Sequence, residues 1–270
     1  MANKNKSPLR YPGGKQRVAE KIADRFDGCN RVASLFLGGG AVELELADRG
    51  ADVVTTDLFR PLASFWLQLK EDCKPLAERS RQELHLDKDR FRTLQGELRG
   101  MADKPAPSLE EAWRFFVLNR ASFSGTTLAG GMSKGQRFTS SSIDRLCDVS
   151  LDRVEVIYGD YFDALMTQPR FAECDAIYAD PPYALERGGK LYGDKGDLHI
   201  NFDHALFAER MKPFCSQDSV PVTISYNDSP LVRELFDGWE IEPISWAYGM
   251  NTSKKSNEIL ITNRRWADDN

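Results

Sequence analysis

Asp180-Pro181-Pro182-Tyr183 is the stretch of this chain best equipped for chemistry. It follows Cys174 to Ala179 (CDAIYA), which reads as a buried strand. A carboxylate at the end of such a strand points off the carboxyl edge of its sheet, where it can accept a hydrogen bond. Two successive prolines have no N–H to donate and fix φ, so their carbonyls are left free as acceptors. Tyr183 offers a flat face for a stacked base, a contact worth about 1–3 kcal/mol. The combination suits an exocyclic amine on an aromatic ring. The lone pair of such an amine is delocalised, and two acceptors on its hydrogens return electron density to nitrogen. Catalysis of this kind is positioning plus electrostatics.

A second constellation is built to hold a ligand. Phe36-Leu37-Gly38-Gly39-Gly40 closes the apolar run that begins at Arg31 (RVASLFL). Glycines there permit a tight turn and a close approach of backbone to ligand. The next β-branched run, Asp52 to Asp57 (DVVTTD), ends in an acid suited to ribose hydroxyls. In open α/β sheets, ligands bind at the carboxyl ends of the strands. The loop fits a nucleotide-type cofactor in general, and a plain tight turn as well. Glu43 stands where a dinucleotide fingerprint needs its last glycine, and no Gly-Lys-Ser/Thr follows, so neither a dinucleotide site nor a P-loop is expected.

The elements that must position these residues follow from pattern. Residues 15–27 read as an amphipathic helix, 41–48 as a helix, and 61–70 as another. Residues 76–121 are dense in Leu, Glu, Arg and Lys and predict helices without intervening strands. Residues 122–142 are rich in Gly, Ser and Thr and read as loops or a hairpin. Strands are predicted at Val154 to Tyr158, Cys174 to Ala179 and Pro221 to Tyr226, with helices near 161–168 and 203–216. Glu240 to Tyr248 and Asn257 to Thr262 read as two strands joined by a turn. Strands alternating with helices imply a mostly parallel α/β sheet covered on both faces, closed by an antiparallel pair. The helical middle reads as an inserted second domain.

The composition, 41% hydrophobic and 29% charged, fits a buried core with a solvated surface. No apolar run approaches the roughly 20 residues that cross a bilayer, and no apolar signal core follows Met1 to Lys6, so a soluble cytoplasmic protein is expected. Cys29, Cys73, Cys147, Cys174 and Cys215 are far apart and form no CxxC pair. They read as buried, reduced thiols, with neither a disulfide framework nor a zinc knuckle. His85, His199 and His204 have no metal-type partners, so no metal is expected. The net charge of −5 counts against a nucleic-acid partner. The bases nevertheless gather beside the motifs: Lys4, Lys6, Arg10, Lys15 and Arg17; Arg120, Lys134 and Arg137; Arg187, Lys190 and Lys195; Lys254 and Lys255.

With these motifs in this order, the chain resembles the Dam-type (D12 class, alpha group) DNA adenine methyltransferases over nearly its whole length. The resemblance rests on Leu9-Arg10-Tyr11-Pro12-Gly13-Gly14-Lys15, the glycine loop, Asp57, Asn119-Arg120 leading into Phe123-Ser124-Gly125, Gly159-Asp160-Tyr161, the tetrapeptide at 180–183, and Lys254-Lys255 before Glu258. It implies a Rossmann-like S-adenosylmethionine-dependent methyltransferase fold. It further implies a catalytic domain of residues 1–71 and 149–270 and an inserted target-recognition domain of residues 72–148. Tyr11 and Lys15 would sit against the methionine part of S-adenosylmethionine, with Phe36, Gly38 and Gly40 lining its pocket. Asp57 would hold the ribose, Asp160 beside Tyr161 the cofactor's adenine, and Asp180 would share this site. Arg10, Arg120, Phe123, Ser124, Thr126, Lys134 and Arg137 would contact double-stranded DNA. A monomer, or at most a weak dimer on DNA, of bacterial or phage origin is expected.

Three positions depart from the family pattern. Leu35 replaces a proline, Phe59 an asparagine and Ser124 another asparagine, the last within the segment that approaches the target. The same tetrapeptide also accommodates the amino group of cytosine or an adenine in RNA. A catalytically silent DNA-binding relative is a further alternative, against which intact Lys15, Asp57, Asp160 and Asp180 speak.

Overall fold

The computed structural model describes residues 5–102, 104, 106–135, 137–183, 202–215, 219–244 and 258–263. Lys4, Arg187, Lys190, Lys195, His199, Lys254 and Lys255, and the turn expected between the last two strands, lie outside these residues.

The described strands, in chain order, are β1 (Arg31–Ser34), β2 (Asp52–Asp57), β3 (Val154–Tyr158), β4 (Ala176–Ala179), β5 (Val222–Asn227), β6 (Glu240–Ile244) and β7 (Glu258–Thr262). They form one sheet in the order β3-β2-β1-β4-β5-β7-β6. The first five are mutually parallel, and β7 runs antiparallel to both β5 and β6. This is the mixed α/β sheet with an antiparallel closing pair that the sequence predicts.

Both faces are buried, so the central strands read as continuous apolar runs. Neighbouring residues along a strand enter opposite cores. Val32, Val53 and Tyr178 face one, and Ala33, Val54 and Ile177 face the other. The first face is covered by α1 (Ala19–Ala23), α2 (Ala41–Asp48), α3 (Arg60–Glu71) and the helices that follow: α4 (Cys73–Arg81), α5 (Lys88–Arg99), α6 (Leu109–Ala121) and α7 (Ser140–Asp144). The second is covered by α8 (Tyr161–Thr167), α9 (Pro169–Ala172), α10 (His204–Met211) and α11 (Pro230–Leu235). The short helices α9 and α11 carry too few residues to show a period, and both begin on a proline at the helix start.

Helices α4 to α7 lie between α3 and β3. Each has a side-chain N-cap, from Asp72, Asp87, Ser108 and Thr139 respectively. Helix α6 docks on α3 through the stacked rings of Phe65 and Phe116, 5.7 Å apart, and through a buried ion pair of Arg60 and Glu111 at 2.7 Å.

Three expectations are corrected. The helix expected over 15–27 is α-helical only at Ala19–Ala23 and continues as a 3-10 turn, Asp24–Phe26. Residues 11–15 are instead drawn into a turn, with Gly14 N–H on Tyr11 O, that delivers the Lys15 side chain to the sheet edge. The hairpin reading of 122–142 reduces to one bridge, Ser122 to Met132, because the segment coils into a 3-10 turn at Phe123–Gly125 and then into α7. The cysteines are not all thiols: Cys73 and Cys147 are joined in a disulfide with Cα atoms 5.4 Å apart. They are 74 residues apart in sequence and meet because the start of α4 packs beside the 3-10 turn Arg145–Asp148. Cys29 and Cys174 are free.

Candidate active site and nucleic-acid interface

The strand order reverses between β1 and β4, which opens a crevice at their carboxyl ends. The glycine loop leaves β1 on one side of it, and Asp180 leaves β4 on the other. A cavity there is lined by Tyr11, Lys15, Phe36, Gly38, Gly40, Asp57, Asp160, Tyr161, Asp180, Pro181, Pro182 and Tyr183. Every residue expected to contact a cofactor or perform chemistry is thus in one place, although the chain delivers them from five separate segments.

The glycine loop owes its shape to two aromatic rings. Gly40 has φ +70°, and a Cβ there would lie 2.7 Å from the Trp66 ring. Gly38 has φ +50°, and its Cβ would lie 3.2 Å from the Tyr11 ring. Trp66 also donates its indole N–H to Gly38 O at 3.0 Å. Any side chain at these positions would meet both a disfavoured backbone angle and an occupied space.

Asp57 ends β2 and accepts the backbone N–H groups of Gly38 at 2.9 Å and Phe59 at 2.8 Å. Burial pushes its carboxyl up to about 6, against the pull of those two bonds. Asp160 caps α8 through one oxygen, Oδ1, which accepts from Phe162 N–H at 2.8 Å and Asp163 N–H at 3.3 Å. Its Oδ2 bonds to none of the described residues. Phe36 packs on Tyr161 with ring centres 4.9 Å apart, forming an apolar wall beside Asp160.

Asp180 is held from two directions. Lys15 Nζ lies 2.7 Å from both carboxylate oxygens, and Ser225 on β5 donates to Oδ1 at 2.8 Å. Lys15 is buried, donates also to Gly13 O at 3.0 Å, and sits 4.8 Å from the centre of the Tyr183 ring. Glu258 Oε2 lies 3.8 Å from the same ammonium. Burial, opposed by Lys15, raises Glu258 to about 6. Lys15 therefore bonds to the Asp180 carboxylate rather than standing free in the cavity. Ser225 and Glu258 complete the arrangement. Ser225 carries no signal in the sequence, and Glu258 stands out there only as the acid that follows Lys254-Lys255.

The residues expected at DNA divide between a clamp and a cluster. Asn119 accepts Arg10 N–H at 2.9 Å and donates to Arg10 O at 2.7 Å, locking the first motif to the end of α6. Gly125, at φ +77°, comes so close that a Cβ would meet Arg10 O at 1.6 Å. The same turn holds Ser124 at φ 54°, lets Thr126 Oγ1 donate to Phe123 O, and leaves the Phe123 ring 69% exposed. Arg10 donates to Ser122 O, and Arg120 donates to Pro8 O and Arg137 O. Arg120 keeps its Nε–H buried without a partner. Burial, then the nearby Arg145, Arg10 and Arg137, lower Arg120 to about 10. Among the described residues none of these four arginines forms an ion pair. Arg145 was missed in the sequence because it lies in no motif. Lys134 is exposed and shares a cleft with Arg137 and His85.

Among the described residues no group of three or more His, Cys, Asp or Glu is placed to hold a metal ion, and no helix is long and apolar enough to cross a membrane.

Comparison with known proteins places the chain in a family. A DNA N-6-adenine-methyltransferase of Escherichia phage P1 is 23% identical over 253 residues, 88% of this chain. The chain spans about a third of that relative's length, 32%. A DNA adenine methylase of Vibrio cholerae is 21% identical over 260 residues, covering 89% of this chain and 88% of the relative. Two solved structures align at 12% identity. They are a SAM-dependent methyltransferase from Agrobacterium tumefaciens (TM-score 0.40; 90% of this chain, 58% of that one) and a precorrin 8w decarboxylase from Methanobacterium thermoautotrophicum (TM-score 0.39; 95% and 94%). At those scores neither bears on function. The profile of one family matches residues 11–250, a span that includes the glycine loop, Asp57 and the tetrapeptide. The chain belongs to the D12 class N6 adenine-specific DNA methyltransferases.

Proposed function

We propose that the chain transfers a methyl group from S-adenosylmethionine to the 6-amino group of an adenine rotated out of duplex DNA. The observation that carries this reading is the shared cavity: the Asp180-to-Tyr183 tetrapeptide opens into the same space as Gly38, Gly40 and Asp57. The lining fits the cofactor. Asp57 presents a carboxylate at the ribose end, Asp160 has a free oxygen for an adenine amino group, and Phe36 and Tyr161 supply an apolar wall. When bound, the cofactor supplies a methyl group already activated by a sulfonium centre, so the protein has no electrophile to generate.

The protein's own residues prepare the nucleophile. Asp180 Oδ1 is occupied by Lys15 and Ser225, whereas Oδ2 has Lys15 alone and can accept one further hydrogen bond. That oxygen and the Pro181 carbonyl accept hydrogen bonds from the amino group of adenine, Tyr183 stacks on the ring, and one amino proton is lost to solvent after nitrogen has gained the methyl. Extrusion of the base costs a few kcal/mol, which the stack offsets.

The target strand is approached by residues 72–148 together with Arg10, and residues 1–71 and 149–270 perform the chemistry. Phe123, exposed at its turn, fills the gap left by the rotated base, with Ser124 and Thr126 beside it. Arg10, Arg120, Arg137 and Lys134 bind phosphates and base edges. The protein acts as a monomer in the cytoplasm of a bacterium or phage-infected cell.

Duplex DNA incubated with the protein and S-adenosylmethionine, then digested to nucleosides, is expected to yield N6-methyl-2′-deoxyadenosine. Asp180→Ala abolishes this while cofactor binding persists. Methylcytosine as the product, or wild-type turnover by the variant, rejects the assignment.

A further inference from the structure

Glu43 has no part in the roles above. It lies in the first turn of α2, is 2% exposed, and lines the same cavity as Lys15, Gly38 and Asp180. Its Oε1 accepts a hydrogen bond from Ser34 Oγ at 2.5 Å, and among the described residues the carboxyl's only other hydrogen-bond donor is its own backbone N–H. A buried carboxyl is ordinarily paired or kept neutral. The charged groups around it are Lys15 from the turn before α1 and Asp180 after β4, with Glu258 of β7 reaching Lys15; Ser34 of β1 and Tyr178 of β4 are its neutral neighbours. Lys15 is taken by Asp180 at 2.7 Å. Glu43 therefore faces the cavity with no cation of its own. Burial pushes it up to about 8, so in the free protein it carries a proton at neutral pH.

We propose that Glu43 is the anchor for the α-ammonium group of the cofactor's amino-acid part. The inference rests on the reading of the cavity as an S-adenosylmethionine site. Asp57 and Asp160 serve ribose and adenine, which leaves the Lys15–Glu43–Asp180 end of the cavity for the amino acid. An ammonium arriving there meets a carboxyl that lacks a counter-charge. The carboxyl loses its proton to solvent and the ammonium takes the place of that charge, so the charge of the buried site is balanced. Affinity for the amino-acid part then rises with pH from 7 towards 8 as Glu43 ionises, and falls again at higher pH where the ligand's own α-ammonium loses its proton.

Calorimetric titrations at pH 7 in buffers of different ionisation enthalpy test this. S-adenosylmethionine and S-adenosylhomocysteine are expected to release about one proton each on binding. 5′-Methylthioadenosine, which lacks the amino acid, releases far less, only the small fraction still held by Asp57 at that pH. Glu43→Gln brings the release down to that level and weakens the first two ligands roughly 10- to 100-fold, the range for a hydrogen bond to a charged group. It leaves methylthioadenosine within about twofold, which also shows that the variant keeps its fold. Wild-type binding of S-adenosylmethionine without proton release, unchanged affinity in the variant, or equal weakening of all three ligands overturns the proposal. Failure of all three ligands to bind the wild type overturns the cofactor reading itself, and the anchor with it.

Discussion

Lys15 holds both carboxylate oxygens of Asp180 at 2.7 Å across a sequence separation of 165 residues. The pair ties the first motif of the chain to the tetrapeptide at 180–183. It also leaves Asp180 Oδ2 with a single partner, facing the cavity. Removing the ammonium leaves a mostly buried carboxylate held by Ser225 alone, which is the costly way to break an ion pair. Lys15→Met is expected to lower methyl transfer by at least about 100-fold. It should reduce stability by roughly 2–3 kcal/mol, less than for a fully buried pair because the Asp180 side chain is 24% exposed. A urea-unfolding cycle with Lys15→Met, Asp180→Asn and the double variant checks the coupling. Strict additivity of the two single changes rejects it.

Asp57 gives the site a lower pH limit. Burial raises its carboxyl to about 6, and the proposed ribose contact needs it ionised, because both of its oxygens already accept backbone N–H groups. Because the folded-state value is raised, protonation of this group stabilises the fold. Its contribution is fully present below the unfolded value and is lost as pH rises through about 6. Ligand affinity runs the other way and falls as pH drops below about 6. Fluorescence titration of 5′-methylthioadenosine between pH 4.5 and 7.5 is expected to show this fall, by up to tenfold per pH unit. Asp57→Asn should bind weakly with a flat profile. A wild-type profile flat across pH 6 refutes the role.

Much of this was legible in the chain. Asp52–Asp57, Val154–Tyr158 and Ala41–Asp48 fall where their patterns place them, since a β-branched run or a block of helix formers between two breakers admits few other readings. The glycine loop and tetrapeptide converge because a parallel sheet brings the carboxyl ends of neighbouring strands to one edge. What stayed hidden is held together by the tertiary fold. Glu43 looks like an ordinary helix residue until Ser34 and the cavity surround it. Ser225 is one polar residue in an apolar strand. Arg145 acquires meaning when α7 swings it beside Arg120, and Cys73 meets Cys147 only after several helices have packed.

The arginine cluster predicts a salt signature. Arg120 is crowded by Arg145, Arg10 and Arg137, so an anion seated among them relieves both burial and repulsion. A DNA phosphate is the anion that a methyltransferase of this family meets. Each phosphate contact releases counterions and adds about 0.9 to the slope of log affinity against log salt for duplex DNA. Arg145→Ala is expected to lower that slope by about one contact, while turnover at saturating DNA stays near wild type. Anisotropy titrations between 50 and 200 mM salt, roughly the range over which such contacts are read, measure it. An unchanged slope removes Arg145 from the interface.

The Cys73–Cys147 bond ties the two ends of the helical segment together, at the start of α4 and in the 3-10 turn before β3. It closes a loop of 74 residues, so it removes substantial chain entropy from the unfolded state, about 4 kcal/mol on the entropic account and often less in practice. Cys147→Ser, and reduction of the wild type, are each expected to lower stability by roughly 2–4 kcal/mol. The core on the far face of the sheet contains no residue of α4 to α7, so methylthioadenosine binding should persist in the reduced protein. DNA affinity should fall more than ligand affinity, because Arg145 lies two residues before Cys147 and shares its turn. Alkylation of the denatured, unreduced protein followed by peptide mass spectrometry checks the bond directly. Cys73 and Cys147 should escape labelling while Cys29 and Cys174 are modified. Full labelling of Cys73, with no change in unfolding on addition of reductant, shows that the bond does not form in solution.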